Sequence, residues 1–129
     1  MQRFSKAIIV TNEHLDQNDH VNNVVYLQWA QAIAREHWKN LAPKDIIDNF
    51  YWVVLSHHIV YKAAAILNDK IAISTYVPFA QGVKSTRIVE IHNSETNTLL
   101  VKVETHWCFM NKKTKRPAKI PQDIATLFD

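Results

Sequence analysis

Glycine is nearly missing from the chain, Gly82 being the only one among 129 residues. A loop that cradles phosphates through bare backbone needs more of them, which counts against nucleotide-loop chemistry. Cysteine is as scarce. Cys108 alone cannot close an internal disulfide, and its solitude fits a reducing compartment. No apolar run approaches the roughly 18 residues that cross a bilayer, and no basic-then-apolar leader opens the chain. The expectation is a soluble, cytoplasmic protein with no membrane partner. Also missing are an HExxH or CxxC pair, a GxSxG elbow and a histidine motif beside Cys108, so neither a metal site nor a serine or cysteine nucleophile is expected. No aromatic-interleaved basic stripe is present, and nucleic acid is not an expected partner.

What the chain does contain is apolar bulk. With 47% hydrophobic and 21% charged residues, it has enough to bury one continuous core, read as a single domain over 1–129. The net charge of +3 is more than covered by Lys112, Lys113, Lys115 and Arg116. Such a run is either a solvated loop or an attractor for a phosphorylated ligand.

Phe4 to Val10 alternates like a strand, with Phe4, Lys6, Ile8 and Val10 on one side. From Val24 to Trp38 apolar residues point almost all round a helix, interrupted only by the stripe Gln28, Gln31 and Arg35, so the helix is expected to be wrapped. Pro43 fits its end, and Lys44 to Phe50 a short connection. Trp52 to Tyr61 reads as a central strand buried on both faces except at Ser56, His57 and His58. Three alternating segments follow: one carries Ile71, Ile73, Thr75 and Val77, the next Ser85, Arg87, Val89 and Ile91, and the last the stripe from Leu99 to Phe109. Turns are expected at Asn68-Asp69, Pro78 to Gly82, Asn93 to Asn97 and Asn111 to Pro117, with a short helix from Pro121 to Leu127. This order predicts an α+β fold, an antiparallel sheet curved over one helix.

The chemistry is concentrated in His14 to Tyr26, HLDQNDHVNNVVY, which delivers a carboxylate, an imidazole and several amides to the helix start. The first amides of a helix lack intrahelical acceptors and sit at the positive end of its dipole, so they can hold a developing oxyanion. Asp16 facing them would serve as general base or nucleophile in hydrolysis of an activated acyl group. His20 could orient Asp16 or the substrate, and one of His57 and His58 could look toward the helix, since alternation sends them to opposite faces. The plainer alternative is that Asp16, Asn18, Asp19 and Asn22 only make turns and an N-cap, and that the histidines are ordinary packed residues.

The stretch DQNDHVNNVVYLQW, Asp16 to Trp29, resembles the signature of the hotdog-fold acyl thioesterases, notably the 4-hydroxybenzoyl-CoA thioesterase group and the acyl-ACP thioesterases. Ser56 to Ile73, SHHIVYKAAAILNDKIAI, is similar to the family's second strand and the turn into its third. The resemblance implies a hotdog fold: five antiparallel strands around one long helix, assembled as a homodimer or a homotetramer of two dimers, with the active site at the dimer interface. It implies catalysis without a cofactor on an acyl-CoA or acyl-carrier-protein thioester, with Asp16 as base or nucleophile and the Asn23 N–H polarising the carbonyl. The acyl-ACP branch adds Asn18 and His20. On the substrate side stand Asn22, Tyr26, Ser56, His57 and His58. Lys84, Ser85, Thr86 and Arg87 would meet CoA phosphates, against the alternative that they simply face solvent. Three positions depart from the pattern: Asp19 and Asn68 stand where glycine is common, and Ala64 stands near the acyl-ACP branch's glutamate. A non-hydrolytic acyl-binding hotdog domain is the competing function, and a hotdog dehydratase a third that lacks its usual Asp and His pattern.

Overall fold

The computed structural model describes all 129 residues. Strand β1 (Phe4–Ile9) leads through a single 3-10 turn (Asn12–His14) and a polar loop into helix α1 (Asn23–Leu41). A short helix α2 (Lys44–Asn49) precedes β2 (Phe50–Tyr61), β3 (Lys70–Gln81), β4 (Lys84–Asn93), β5 (Thr98–Asn111) and a final turn of helix, α3 (Gln122–Ala125). The five strands form one antiparallel sheet in the order β1-β3-β4-β5-β2. This is the α+β architecture that the sequence predicts.

The alternating stripes become the concave face of the sheet. Ile71, Ile73 and Thr75 of β3, Val89 and Ile91 of β4, and Val101 and Val103 of β5 are each at most 2% exposed, and they meet Tyr26, Ala30 and Ile33 of α1. Burying each of the large aliphatic side chains is worth about 1.5–3 kcal/mol, so this shared face fixes the strand register. Register shifts at Val54/Ser56, Tyr76/Phe79 and Ile91/His92 bend the strands around the helix.

Three expectations need correction. The strand from Trp52 to Tyr61 is not central: β2 pairs only with β5 and forms the rim of the sheet, leaving Val53, Leu55, Val60 and Tyr61 exposed. Its apolar run reflects an uncovered rim rather than two buried faces. Helix α1 is not wrapped on all sides, because Val24 is 59% exposed and only the face bearing Tyr26, Ala30, Ile33, Ala34 and His37 is buried. Pro78 does not begin a turn. β3 runs through it to Gln81, and the reversal is confined to Gly82 and Val83. Pro78 is tolerated because β1 ends opposite Thr75, so the far half of β3 has no partner on that side, and the strand is bulged there.

Candidate active site

The polar loop ahead of α1 is folded around Asp16. Its N–H donates to the His20 carbonyl at 2.8 Å, and the Asp19 N–H returns to the Asp16 carbonyl at 3.1 Å. One carboxylate oxygen, Oδ1, accepts the Asn18 N–H at 2.8 Å and the His20 N–H at 3.3 Å. Reversing the chain this tightly places Asp19 at φ 61, in the left-handed region, and a separate turn from Ile66 to Asp69 holds Asn68 at φ 70. Both are positions where the resemblance expects glycine, and Asp and Asn are the side chains that best tolerate that conformation. Val21 and His20 then pair with Ala65 and Ile66, tying the loop to the segment after β2.

Asn22 is the N-cap of α1, its Oδ1 accepting the Val24 N–H at 3.0 Å. The next amide, Asn23 N–H, has no acceptor within the protein. It sits at the positive end of a 19-residue helix, where a partial negative charge is stabilised. The Tyr61 hydroxyl, from the last residue of β2, donates to the Asn23 carbonyl at 3.4 Å. Asp16 is half-buried, and its Oδ2 makes no hydrogen bond. Its charge is felt by the buried Tyr26 phenol, whose pKa is raised chiefly by burial and further by Asp69 and Asp16, against the opposing bond to Ala65.

Asp16 lies on the loop that leads into α1, and Asn22 and Asn23 are the cap and first residue of the helix. Asn18 and His20 share the loop, but both are exposed and their side chains bond nothing. Tyr26, expected on the substrate side, is instead buried at 2% exposure, and its hydroxyl accepts the Ala65 N–H at 2.9 Å. His57 points to the helix side, 2.8 Å from Thr105 Oγ1, with its pKa lowered by burial, while His58 and Ser56 are exposed. The basic stretch of β4 divides. Lys84 is exposed, and Thr86 bonds His106 on the outer face at 3.1 Å. Ser85 and Arg87 are buried on the inner face, so they do not share a surface with Lys84 and Thr86. Ser85 donates to the Phe79 carbonyl at 3.1 Å.

A second feature lies toward the other end of α1. Between the helix and the inner face of β2, β4 and β5 is a cavity of about 490 Å³, walled by aromatic side chains including Trp38, Phe50, Trp52, Trp107 and Phe128. Arg87 lines it at 6% exposure, its Nη1 donating to His37 Nδ1 at 2.9 Å and to Thr75 Oγ1 at 3.0 Å. Burial lowers the Arg87 pKa to about 10, so it remains cationic at neutral pH. His37, stacked on Phe4 and against Phe128, has its pKa lowered to about 4, first by burial and then by Arg87. The signal for this cluster is an arginine in register with Val89 and Ile91 on an otherwise apolar stripe, together with a histidine on the apolar face of the helix.

A five-stranded antiparallel sheet curled over one long helix defines the hotdog class of folds. Within that class, residues 1–128 match the model of the acyl-ACP thioesterase N-terminal domain, and the chain belongs to that family. Over 82 residues it is 30% identical to a chloroplastic palmitoyl-acyl carrier protein thioesterase of Gossypium hirsutum, an alignment covering 64% of this chain and 20% of the relative. The chain thus spans about a fifth of the length of that curated relative. Among solved structures, it is similar to the 12:0-ACP thioesterase of Umbellularia californica, with a TM-score of 0.84, 13% identity, and coverage of 97% of this chain and 52% of the other. It is also similar to a 1,4-dihydroxy-2-naphthoyl-CoA thioesterase of Synechocystis, with a TM-score of 0.80, 20% identity, and coverage of 93% and 90%. At these identities the two structures speak for the fold.

Proposed function

We propose that this domain hydrolyses the thioester of an acyl-CoA or acyl-carrier protein, with Asp16 as general base or nucleophile and the Asn23 N–H as oxyanion donor. The observation that carries this reading is that a carboxylate with a free Oδ2, on the loop leading into α1, and an amide with no acceptor, at the first position of α1, belong to the same helix end. In the base route, Asp16 takes a proton from water as the oxygen attacks the carbonyl carbon. The Asn23 N–H stabilises the tetrahedral oxyanion, whose collapse expels the thiolate, which leaves with a proton. In the nucleophile route, Asp16 attacks the carbonyl carbon, the C–S bond breaks and the thiolate leaves with a proton, and water then cleaves the mixed anhydride to the free acid and the Asp16 carboxylate.

Asp16→Asn and Asp16→Ala separate chemistry from structure. Asparagine keeps an oxygen that can accept from Asn18 and His20 but loses the base, whereas alanine also frees the turn. Both are expected to lower kcat on acyl-CoA at least about a hundredfold, the range for removing a positioned base. Asp16→Asn should keep the wild-type melting temperature. Near-wild-type turnover in both variants rejects the assignment.

The competing reading is a domain that binds acyl thioesters without cleaving them. In its favour, Asp16 Oδ1 is already engaged by the turn, and Ala64 stands near the glutamate position of the acyl-ACP branch. A panel of short, long and aromatic acyl-CoAs assayed for thiol release separates the two, since tight binding with no release on any member selects the binder.

The same proposal includes a homodimer formed along β2, whose outer edge has no partner and whose Val53, Leu55, Val60 and Tyr61 are exposed. Two such rims in antiparallel register would continue the sheet and bring a second copy to the helix start through Tyr61. Pairing two dimers would give the homotetramer. A cytoplasmic setting is supported by the buried, free Cys108.

A further inference from the structure

The cavity between α1 and the sheet has an unbalanced lining. Its walls are mostly apolar and aromatic, yet the charged residues on them are Arg35, Arg87 and Lys112, with no aspartate or glutamate. Lys112 is engaged with the Ile47 carbonyl at 2.9 Å, and Arg35 is exposed at the mouth. Arg87 is the informative one. It is 6% exposed and has no carboxylate partner; His37 and Thr75 are both served by Nη1, and Nε and Nη2 bond nothing in the protein. His37 is held neutral beside it and cannot balance its charge. Burying a cation without a counter-charge is costly, and a guanidinium with a free fork is the group best suited to receive a carboxylate on two parallel N–H bonds. On the same wall, Trp107 carries a buried indole N–H that has no acceptor.

We propose that this cavity receives the far end of an acyl group that carries a carboxylate, with Arg87 binding that carboxylate and the aromatic walls holding the chain. The inference deepens the hydrolase reading and rests on it for the position of the thioester at Asn23. The reach sets the chain length: His37, which Arg87 bonds, lies fourteen residues beyond Asn23. That is about 21 Å along the helix, the span of an extended chain of roughly sixteen carbons with C–C bonds of about 1.5 Å. A methyl-ended chain of the same length would leave Arg87 desolvated and unpaired. A carboxylate-ended chain supplies the missing anion.

The test has two arms. In the first, hexadecanedioyl-CoA and hexadecanoyl-CoA are compared as substrates of the full chain, wild type, Arg87→Gln and Arg35→Glu. Wild type is expected to favour the carboxylate-ended thioester by about tenfold or more in kcat/KM, as a charge-assisted pair would give. Arg87→Gln should abolish that preference. Arg35→Glu, an exposed substitution that leaves the core intact, should weaken it through the reversed charge at the mouth. Equal kcat/KM for the two thioesters, or a preference for the methyl-ended one, overturns the proposal. In the second arm, dodecanoate and 1-dodecanol are titrated and followed by tryptophan fluorescence. Dodecanoate is expected to bind wild type about tenfold or more tightly, with the difference lost in Arg87→Gln. If neither thioester is cleaved, the hydrolase reading fails and this arm alone judges the cavity: dodecanoate binding no tighter than dodecanol overturns it.

Discussion

Replacing Tyr26 by Phe removes one oxygen and leaves the N–H of Ala65, itself 0% exposed, without its acceptor. A buried donor stripped of its partner costs about 1–3 kcal/mol, and urea unfolding of Tyr26→Phe is expected to show a loss of that size. A loss below about 0.5 kcal/mol would mean that water or another acceptor replaces the phenol. Single residues were unevenly legible in the sequence. The motif suggests Tyr26 as a substrate contact, and only the tertiary position of Ala65 shows that its hydroxyl is occupied. Asp19 and Asn68 read as departures from a glycine pattern, and their positive φ shows that the backbone demand persists with side chains that can meet it.

Elements were legible wherever one face carried the pattern. β3, β4 and β5 follow their apolar alternation, and α1 follows its caps. β2 misleads because an apolar run looks alike whether the strand is buried by its own chain or left for a neighbour to cover. The buried face of α1 also holds a pH response that composition does not show. His37 has a pKa of about 4 in the fold against 6.5 for the free side chain. Between those values the unfolded chain binds a proton that the folded one excludes, so stability rises with pH across the window and is lost as pH falls from about 6.5 toward 4. The contribution is about 1 kcal/mol per pH unit. Urea unfolding at pH 7, 6 and 5 is expected to show a shallower decline for His37→Gln than for wild type. Parallel declines would show that His37 does not set the slope.

At the scale of the whole molecule, the open question of assembly has a direct measurement. Leu55 is 52% exposed at the bulge of β2, so Leu55→Asp costs the isolated fold little while placing charges on the rim. Sedimentation velocity at micromolar concentration is expected to show two copies for wild type and one for Leu55→Asp. Thioester turnover should fall with it if the site needs both copies. A variant that remains paired would move the interface elsewhere.

The two borders of the sheet differ in a way that bears on how far such pairing can go. On the β1 side, a strand of six residues stops at Phe4, and the overhang of β3 beyond it contains Pro78, which offers no N–H to an incoming strand. On the β2 side, the border is twelve residues long. If pairing runs along the long flank, the short and proline-interrupted one would offer far less backbone to a further copy, so growth of the sheet would be discouraged beyond two members.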